Sequence, residues 1–257
     1  MTTRGAITHP RTALVVGGGR GIGRETVLQL AEHGTRCAIA YLSREEPARQ
    51  TQADAAAIGP EPAVIQGDQG TDAPAIVEQA RSALGSVDAI VTTAVPMIMG
   101  PIGSVTEEEY RSAMDVQVWG LQQLVATALD DLAAAGGSVV TVSSLGADSY
   151  ANYYGAIGPA KAALENTVRY LAAEHGRRGV RVNAVSPCLV DDPSHRIGID
   201  VPEEFEATVQ AVAKRTPMRR LATSAEIASV IVALLSSQMS FVTGQTIKVD
   251  GGYSLLA

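Results

Sequence analysis

The sequence has few cysteines and a deficit of positive charge. Two of its 257 residues are cysteine, Cys37 and Cys188, one in a predicted strand and one in a predicted loop. We therefore expect free thiols and no disulfide framework. With 20 Lys and Arg against 27 Asp and Glu, the net charge is -7. This charge argues against a nucleic-acid surface, because binding of phosphates needs clustered cations.

Long hydrophobic runs are also missing. No segment approaches the ~20 apolar residues that cross a bilayer, and residues 1–10 contain no apolar run of signal-peptide length. The four histidines lack the spacing of metal ligands. We expect a cytoplasmic protein with no metal site, no membrane association and no nucleic-acid partner.

What the chain does contain is a regular alternation of strands and helices. The predicted strands are 12–16, 36–41, 63–66, 89–92, 138–142, 180–185 and 245–249. The predicted helices are 22–33, 47–58, 73–84, 107–134, 152–175, 202–213 and 225–235. Alternating units of this length indicate an α/β Rossmann fold, a doubly wound and mostly parallel seven-stranded sheet with helices on both faces. Residues 1–10 are expected to form a flexible N-terminus, and residues 11–257 a single dinucleotide-binding domain.

A glycine-rich turn follows the first strand. Its spacing is Gly17-x-x-x-Gly21-x-Gly23, with Gly19, Arg20 and Ile22 between the three glycines. Glycines let the backbone approach a pyrophosphate, whose charge then faces the free N–H groups at the helix N-terminus. The turn therefore predicts a nucleotide site, although a plain strand-to-helix turn can look the same.

The residues after the second strand favour a phosphorylated ribose. An NAD site usually places Asp or Glu here, but no acid appears before Glu45. Arg20, Ser43 and Arg44 could instead surround a 2′-phosphate, for which a guanidinium is well suited. NADP(H) is thus favoured over NAD(H), the alternative being that both arginines are solvated. Asp68, after the third strand, could accept a hydrogen bond from adenine or cap its own loop.

Proton chemistry centres on residues 150–161. Lys161 has two partner positions on one face of a helix, four and seven residues earlier. Ile157 occupies the first and can transfer no proton, whereas Tyr154 occupies the second. Tyr154 is thus the candidate donor, and its neighbours Tyr150 and Tyr153 are interpreted as helix-start packing or interface residues, although Tyr153 is an alternative donor for ketone reduction. Pro159 indicates either a helix start near residue 158 or a tolerated kink.

The polar stretch of residues 190–220 is too long for a simple connection. A loop of this length in a compact domain is usually a lid or a binding segment. We expect it to cover the substrate.

Together these motifs resemble the short-chain dehydrogenase/reductase family over nearly the whole chain. They are the glycine turn, Ser144 at a strand end, the Tyr154 and Lys161 helix, the segment 181–187 and the segment 244–252. The Tyr-x6-Lys spacing is similar to that of the enoyl-acyl-carrier-protein reductase branch, and Ile157 removes the usual Tyr-x3-Lys spacing.

The resemblance implies an NAD(P)H-dependent oxidoreductase acting on a small molecule or acyl thioester, assembled as a homotetramer or a dimer. Tyr154, Lys161 and Ser144 would be catalytic. The cofactor would contact Gly17, Gly19, Arg20, Gly21, Ile22, Gly23, Ser43, Arg44, Asp68, Gln69, Thr93, Ala94, Lys161, Pro187 and Val190. NADPH reduction of a conjugated C=C bond is the first expectation. A ketone reductase (3-oxoacyl or polyketide type) and a non-catalytic NADP(H)-binding protein are the alternatives.

Several pocket positions depart from the family pattern. Thr92-Thr93-Ala94-Val95 replaces Asn-Asn-Ala-Gly, and Gln117 replaces an Asn that supports a proton relay. Cys188 replaces a Gly and Asp192 replaces a Thr. Ser144 stands where enoyl reductases of the main type carry a second Tyr. These changes indicate a repurposed site, either specialised or without turnover.

Overall fold

A single parallel sheet organises the chain. The computed structural model describes residues 6–192 and 205–256, and within them the seven strands lie in the order β3-β2-β1-β4-β5-β6-β7. The strands are β1 Thr12–Val16, β2 Arg36–Tyr41, β3 Ala63–Gln66, β4 Ala89–Thr92, β5 Ser138–Val142, β6 Arg181–Pro187 and β7 Thr246–Val249. All neighbouring pairs are parallel. The predicted Rossmann fold is confirmed.

Helices cover both faces of this sheet. They are α1 Gly21–Glu32, α2 Glu45–Ala56, α3 Ala73–Leu84, α4 Glu107–Met114, α5 Gly120–Ala135, α6 Ile157–His175, α7 Phe205–Arg215 and α8 Ser224–Leu235 within the described ranges. One buried apolar cluster joins the sheet to α3, α5 and α6, and a second joins its other face to α1, α2 and α8. Strands buried on both faces read as nearly continuous apolar runs, which is why their bounds were predictable.

Two helix predictions were wrong in ways that affect the site. The helix predicted over 107–134 is interrupted by a π-helical turn, Asp115–Trp119, between α4 and α5. The helix predicted from residue 152 begins at Ile157, which confirms the alternative start near residue 158, so that Tyr153 and Tyr154 precede it. Tyr153 has a positive φ of 59°, which no helix accommodates. Pro159 then lies in the first turn, where its missing N–H is no loss.

Two other predictions lie partly outside the described residues. The first is the predicted lid, of which residues 193–204, with the start of the helix predicted over 202–213, are not described. The second is the predicted N-terminal segment, of which residues 1–5 are not described. Within the predicted N-terminal segment, Thr8 exchanges hydrogen bonds with Ser237, and the His9 ring stacks on His33 at 3.8 Å.

The strand order reverses between β1 and β4, at the carboxyl ends of the strands. In doubly wound sheets the crevice at this point is where ligands bind. The glycine turn, Thr93 and Ser144 all follow strands that end at this edge.

Candidate active site

The glycine turn after β1 requires glycine at two positions for different reasons. Gly17 has a φ of 84°, in the left-handed region that side chains rarely adopt. A Cβ on Gly23 would lie 2.2 Å from the carbonyl oxygen of Gly17. The Thr93 hydroxyl, at the end of β4, donates to the carbonyls of Val16 and Gly17 at 3.1 and 3.2 Å. The turn is therefore fixed in a form that only this glycine pattern permits.

The first turn of α1 offers backbone donors at this point. Its N-cap residue, Arg20, carries only donor groups in its side chain and so cannot accept from the helix amides. Free amides at a helix N-terminus form an anion site. A dinucleotide pyrophosphate, with its paired negative charges, fits this cradle.

The two predicted ribose-side arginines lie within electrostatic reach of each other. Burial lowers the pKa of Arg20, and the positive charge of Arg44 lowers it further, while Asp192 opposes the shift. Arg44 and Ser43 are exposed at the end of β2. The two neighbouring guanidiniums concentrate positive charge here, which suits a phosphate group.

The residues after β3 act mainly on their own loop. The Asp68 carboxylate accepts a hydrogen bond from the Gly70 amide at 2.7 Å, as the loop-capping alternative predicts. Gln69 is buried, and its amide donates to the carbonyl of Val116 in the π-helical turn at 2.6 Å. Its side chain is thus engaged with the π-helical turn.

Lys161 is buried in the second turn of α6. Its ammonium donates to the side-chain oxygen of Gln117 at 2.5 Å and to the carbonyl of Val142 at 2.6 Å. Burial lowers the pKa of Lys161 from its usual value near 10.5 to about 7, and the Glu165 carboxylate opposes part of this shift. Near neutral pH the side chain can thus exist in both charge states.

Gln117 connects this lysine to the end of β4. Its side-chain nitrogen donates to the carbonyl of Ala94 at 2.8 Å, while its oxygen accepts from Lys161. The π-helical turn brings Gln117 into this position, and such turns are frequent at functional sites. Sequence reasoning noted Gln117 only as a departure from the family and did not include it among the site residues.

Tyr154 lies beside Ser144, in the arrangement expected of a proton donor and of the hydroxyl that orients it. The Tyr154 ring and the Ser144 hydroxyl both lie next to Gly146, whose amide donates to the Ser144 side chain at 3.1 Å. Burial raises the pKa of Tyr154, and the nearby Ser144 hydroxyl opposes that shift. The phenol is therefore a neutral donor at physiological pH.

The segment before α6 holds this tyrosine in place. Tyr154 forms an isolated parallel bridge with Gly100, whose amide donates to the carbonyl of Tyr153 at 2.8 Å. Ile157, at the position four before Lys161, is buried against Ala113, Ala156 and Ala160. Because Tyr154 precedes α6, our expectation that Tyr154 and Lys161 lie on one face of the same helix was wrong.

The remaining predicted contacts line the same edge of the sheet. Pro187 ends β6 and pairs with Val249, and Val190 bridges to Ala222 just beyond it.

Of the three predicted catalytic residues, the structure brings Ser144 and Tyr154 together. Both hydrogen bonds of Lys161 within the described chain go to Gln117 and Val142.

Two further features concern side chains that could bind a metal or act as a nucleophile. Among residues 6–192 and 205–256, no three His, Cys, Asp or Glu side chains come together as metal ligands could. Burial raises the pKa of the Cys188 thiol, so it is a poor nucleophile. No helix in the described ranges is long and apolar enough to cross a membrane.

The chain is similar to known oxidoreductases over almost all of its length. Residues 16–254 match the family described as "Enoyl-(Acyl carrier protein) reductase". It is 32% identical to 1-cyclohexenylcarbonyl-CoA reductase of Streptomyces collinus, over 96% of this chain and 88% of that protein. It is 30% identical to glucose 1-dehydrogenase of Gluconobacter oxydans, over 95% and 92%.

The fold is shared with solved structures as well. Acetoin dehydrogenase from Enterobacter cloacae superposes with a TM-score of 0.84 at 27% identity, covering 96% of this chain and 97% of that one. This protein therefore belongs to the short-chain dehydrogenase/reductase family and is an oxidoreductase of the NAD(P)(H)-binding type.

Proposed function

We propose that this protein is an NADPH-dependent reductase of a conjugated C=C bond in an enoyl thioester or related enone. One observation carries the proposal: Tyr154, seven residues before Lys161, lies beside Gly146 and near the Ser144 hydroxyl, while Ile157 is buried in the apolar core. The matching family description and the name of the Streptomyces collinus relative support the same chemistry.

The proposed reaction adds two electrons and two protons across the double bond. When bound, the cofactor supplies a hydride, which adds to the β-carbon. Negative charge then develops on the carbonyl oxygen of the substrate. Tyr154 donates a hydrogen bond to that oxygen, where stabilisation counts most, and can deliver the proton. Ser144 orients the phenol.

Lys161 has a supporting role in this proposal. It would hold the ribose hydroxyls at the nicotinamide end of the cofactor, and its positive charge would favour the developing anion. Gln117 and the Val142 carbonyl fix the ammonium from two sides. Removing either acceptor would leave a buried donor unsatisfied.

Arg20, Ser43 and Arg44 support the preference for NADPH over NADH. Arg44→Ala is expected to weaken NADPH binding about tenfold, because one charge-assisted contact with the 2′-phosphate is lost, and to leave NADH binding nearly unchanged. Fluorescence titration of both dinucleotides measures this. Arg49→Ala is the control, because Arg49 lies on α2, the helix that follows Arg44, and is ion-paired with Glu45. Equal losses for both dinucleotides would contradict the assignment.

Ketone reduction is the second candidate, and the proximity of Ser144 to Tyr154 favours it. A serine and a tyrosine hydroxyl together can polarise a ketone oxygen as well as a thioester oxygen. Relatives include a protein named 3-oxoacyl-[acyl-carrier-protein] reductase, 28% identical over 94% of this chain.

Optical measurement of NADPH oxidation separates these functions. Crotonyl-CoA, acetoacetyl-CoA, cyclohexenone and a cyclic diketone would each be offered at equal concentration. Faster oxidation with crotonyl-CoA or cyclohexenone than with the ketones is expected. Preference for acetoacetyl-CoA or the diketone would establish the ketone reductase instead. NADPH binding without oxidation of any substrate would establish the non-catalytic alternative.

The setting of the enzyme belongs to the same proposal. The two cysteines, Cys37 and Cys188, are free thiols, which supports a reducing compartment such as the cytoplasm. We propose a single domain over residues 11–257, with a substrate lid at residues 190–220, assembled as a homotetramer.

A further inference from the structure

Three consecutive residues at the end of β5 each bind a different group of the α6 region. The Val142 carbonyl accepts from Lys161 at 2.6 Å, and the Ser143 hydroxyl donates to the Glu165 carboxylate at 2.6 Å. The Ser144 hydroxyl lies near Tyr154, just before α6. The Ser143 amide is itself fixed, because it donates to the Val185 carbonyl at 2.7 Å. The strand end that carries Ser144 is thus hydrogen-bonded to α6 at two points, Lys161 and Glu165.

Glu165 lies one turn after Lys161, on the same face of α6. It is half-buried, and its negative charge raises the pKa of two lysines, Lys161 and Lys248. Lys248 on β7 is ion-paired with Asp148 at 2.7 Å, and Asp250 also acts on it. Lys248 therefore has two carboxylates besides Glu165, whereas Lys161 has Glu165 as the carboxylate that opposes its burial.

We propose that Glu165 is a positioning residue of this active site, which fixes the strand end at Ser143 and compensates the buried charge of Lys161. The inference rests on the proposed function only in that Ser144, Tyr154 and Lys161 are the groups it positions. A buried ammonium without a countercharge is costly, and a carboxylate at this spacing reduces the cost. The hydrogen bond from Ser143 prevents the carboxylate from turning away.

This role has a signature in the protein without cofactor. Lys161 binds its proton less tightly in the folded than in the unfolded chain, because its pKa falls to about 7. The unfolded state therefore binds more protons between about pH 7 and 10.5, and stability rises with pH across this window. Below pH 7 the full cost of burying the charge is present. Replacing Glu165 should lower the pKa of Lys161 further and move the onset of the rise to lower pH.

The test is urea unfolding of the cofactor-free protein from pH 5.5 to 9, at a fixed chain concentration. Wild type, Glu165→Gln and Glu174→Gln would be compared with Lys161→Met, which removes the titration and gives the reference curve. Gln keeps the shape and the acceptor oxygen for Ser143. We expect Glu165→Gln to move the onset down by about one pH unit. Glu174, exposed on the same helix, should leave it in place.

Two results would overturn the inference. One is an onset in Glu165→Gln identical to that of wild type. The other is an unchanged kcat in Ser143→Ala with Glu165→Gln also fully active. We expect Ser143→Ala to lower kcat about tenfold and to move the pH onset less than Glu165→Gln does, since the charge of Glu165 remains but is held less firmly. The unfolding measurement needs no substrate, so it tests Glu165 even if the proposed reaction is wrong.

Discussion

At the scale of single residues, the position of Tyr154 depends on a glycine that offers no chemistry. A Cβ on Gly146 would lie 2.6 Å from the Tyr154 ring, closer than such atoms approach. The Gly146 amide also donates to Ser144, so both hydroxyls of the pair depend on this residue.

Gly146→Ala is therefore expected to lower kcat at least tenfold, because the displaced ring no longer presents its hydroxyl to the substrate. The control is Gly176→Ala. Gly176 has a helical φ of -57°, and a Cβ there meets nothing within 4 Å. Steady-state kinetics of both variants measure the effect, and equal kcat values would contradict the proposed role of Gly146.

The sequence pointed to the proposed reactive groups but not to the residues that contact them. Tyr154, Lys161 and Ser144 could be predicted because each carries a functional group at a characteristic spacing. Gly146, Gln117 and Glu165 were missed, since their importance arises from contacts between segments far apart in the chain. Glu165 did leave a signal, as it lies four residues after Lys161 on one helix face.

At the scale of elements, α8 is connected to Arg20 of the glycine turn through Asp192. Its N-terminus carries a capping box, in which Thr223 accepts from the Glu226 amide at 3.2 Å and Glu226 accepts from the Thr223 amide at 2.9 Å. The first residue of α8, Ser224, donates to Asp192, whose charge acts on Arg20. The cap thus contributes to the geometry of the cofactor end.

Thr223→Ala is expected to lower the free energy of unfolding by about 1 kcal/mol, the usual effect of losing an N-cap. Urea unfolding measures this change. Thr127→Ala serves as the control, because the Thr127 hydroxyl donates only to a carbonyl of its own helix. That variant should stay within a few tenths of a kcal/mol of wild type. No loss in Thr223→Ala would show that the capping box does not stabilise α8.

Elements were predictable where the apolar pattern was continuous and were misplaced where a turn interrupts it. Five of the seven strands have the predicted bounds. The π-helical turn was missed because inserting one residue into a helix leaves its apolar periodicity almost unchanged. The start of α6 was misplaced because Tyr153 and Tyr154 are held by Gly100, more than 50 residues away.

At the scale of the whole molecule, three aromatic residues are exposed on two helices and the π-helical turn. Tyr110 on α4, Trp119 in the π-helical turn and Tyr170 on α6 are 42%, 52% and 63% exposed. Large apolar side chains exposed together commonly mark an interface.

We therefore expect the wild type to sediment as a homotetramer and Trp119→Glu to shift it to smaller species, because a buried charge at an interface is costly. Analytical ultracentrifugation measures this. Ile58→Glu, at a site 48% exposed just after α2, is the matched control and should keep the wild-type assembly. A monomeric wild type would contradict the proposed assembly.

The central claim is that Tyr154 supplies the hydrogen bond and proton of the reaction, and the kcat of Tyr154→Phe tests it most directly. The substitution removes one hydroxyl and keeps the ring on Gly146. With the best substrate of the panel, we predict that kcat falls about 100-fold or more. Tyr150→Phe, at a residue 90% exposed, should retain kcat within about twofold. Wild-type kcat in Tyr154→Phe would show that another group is the proton donor.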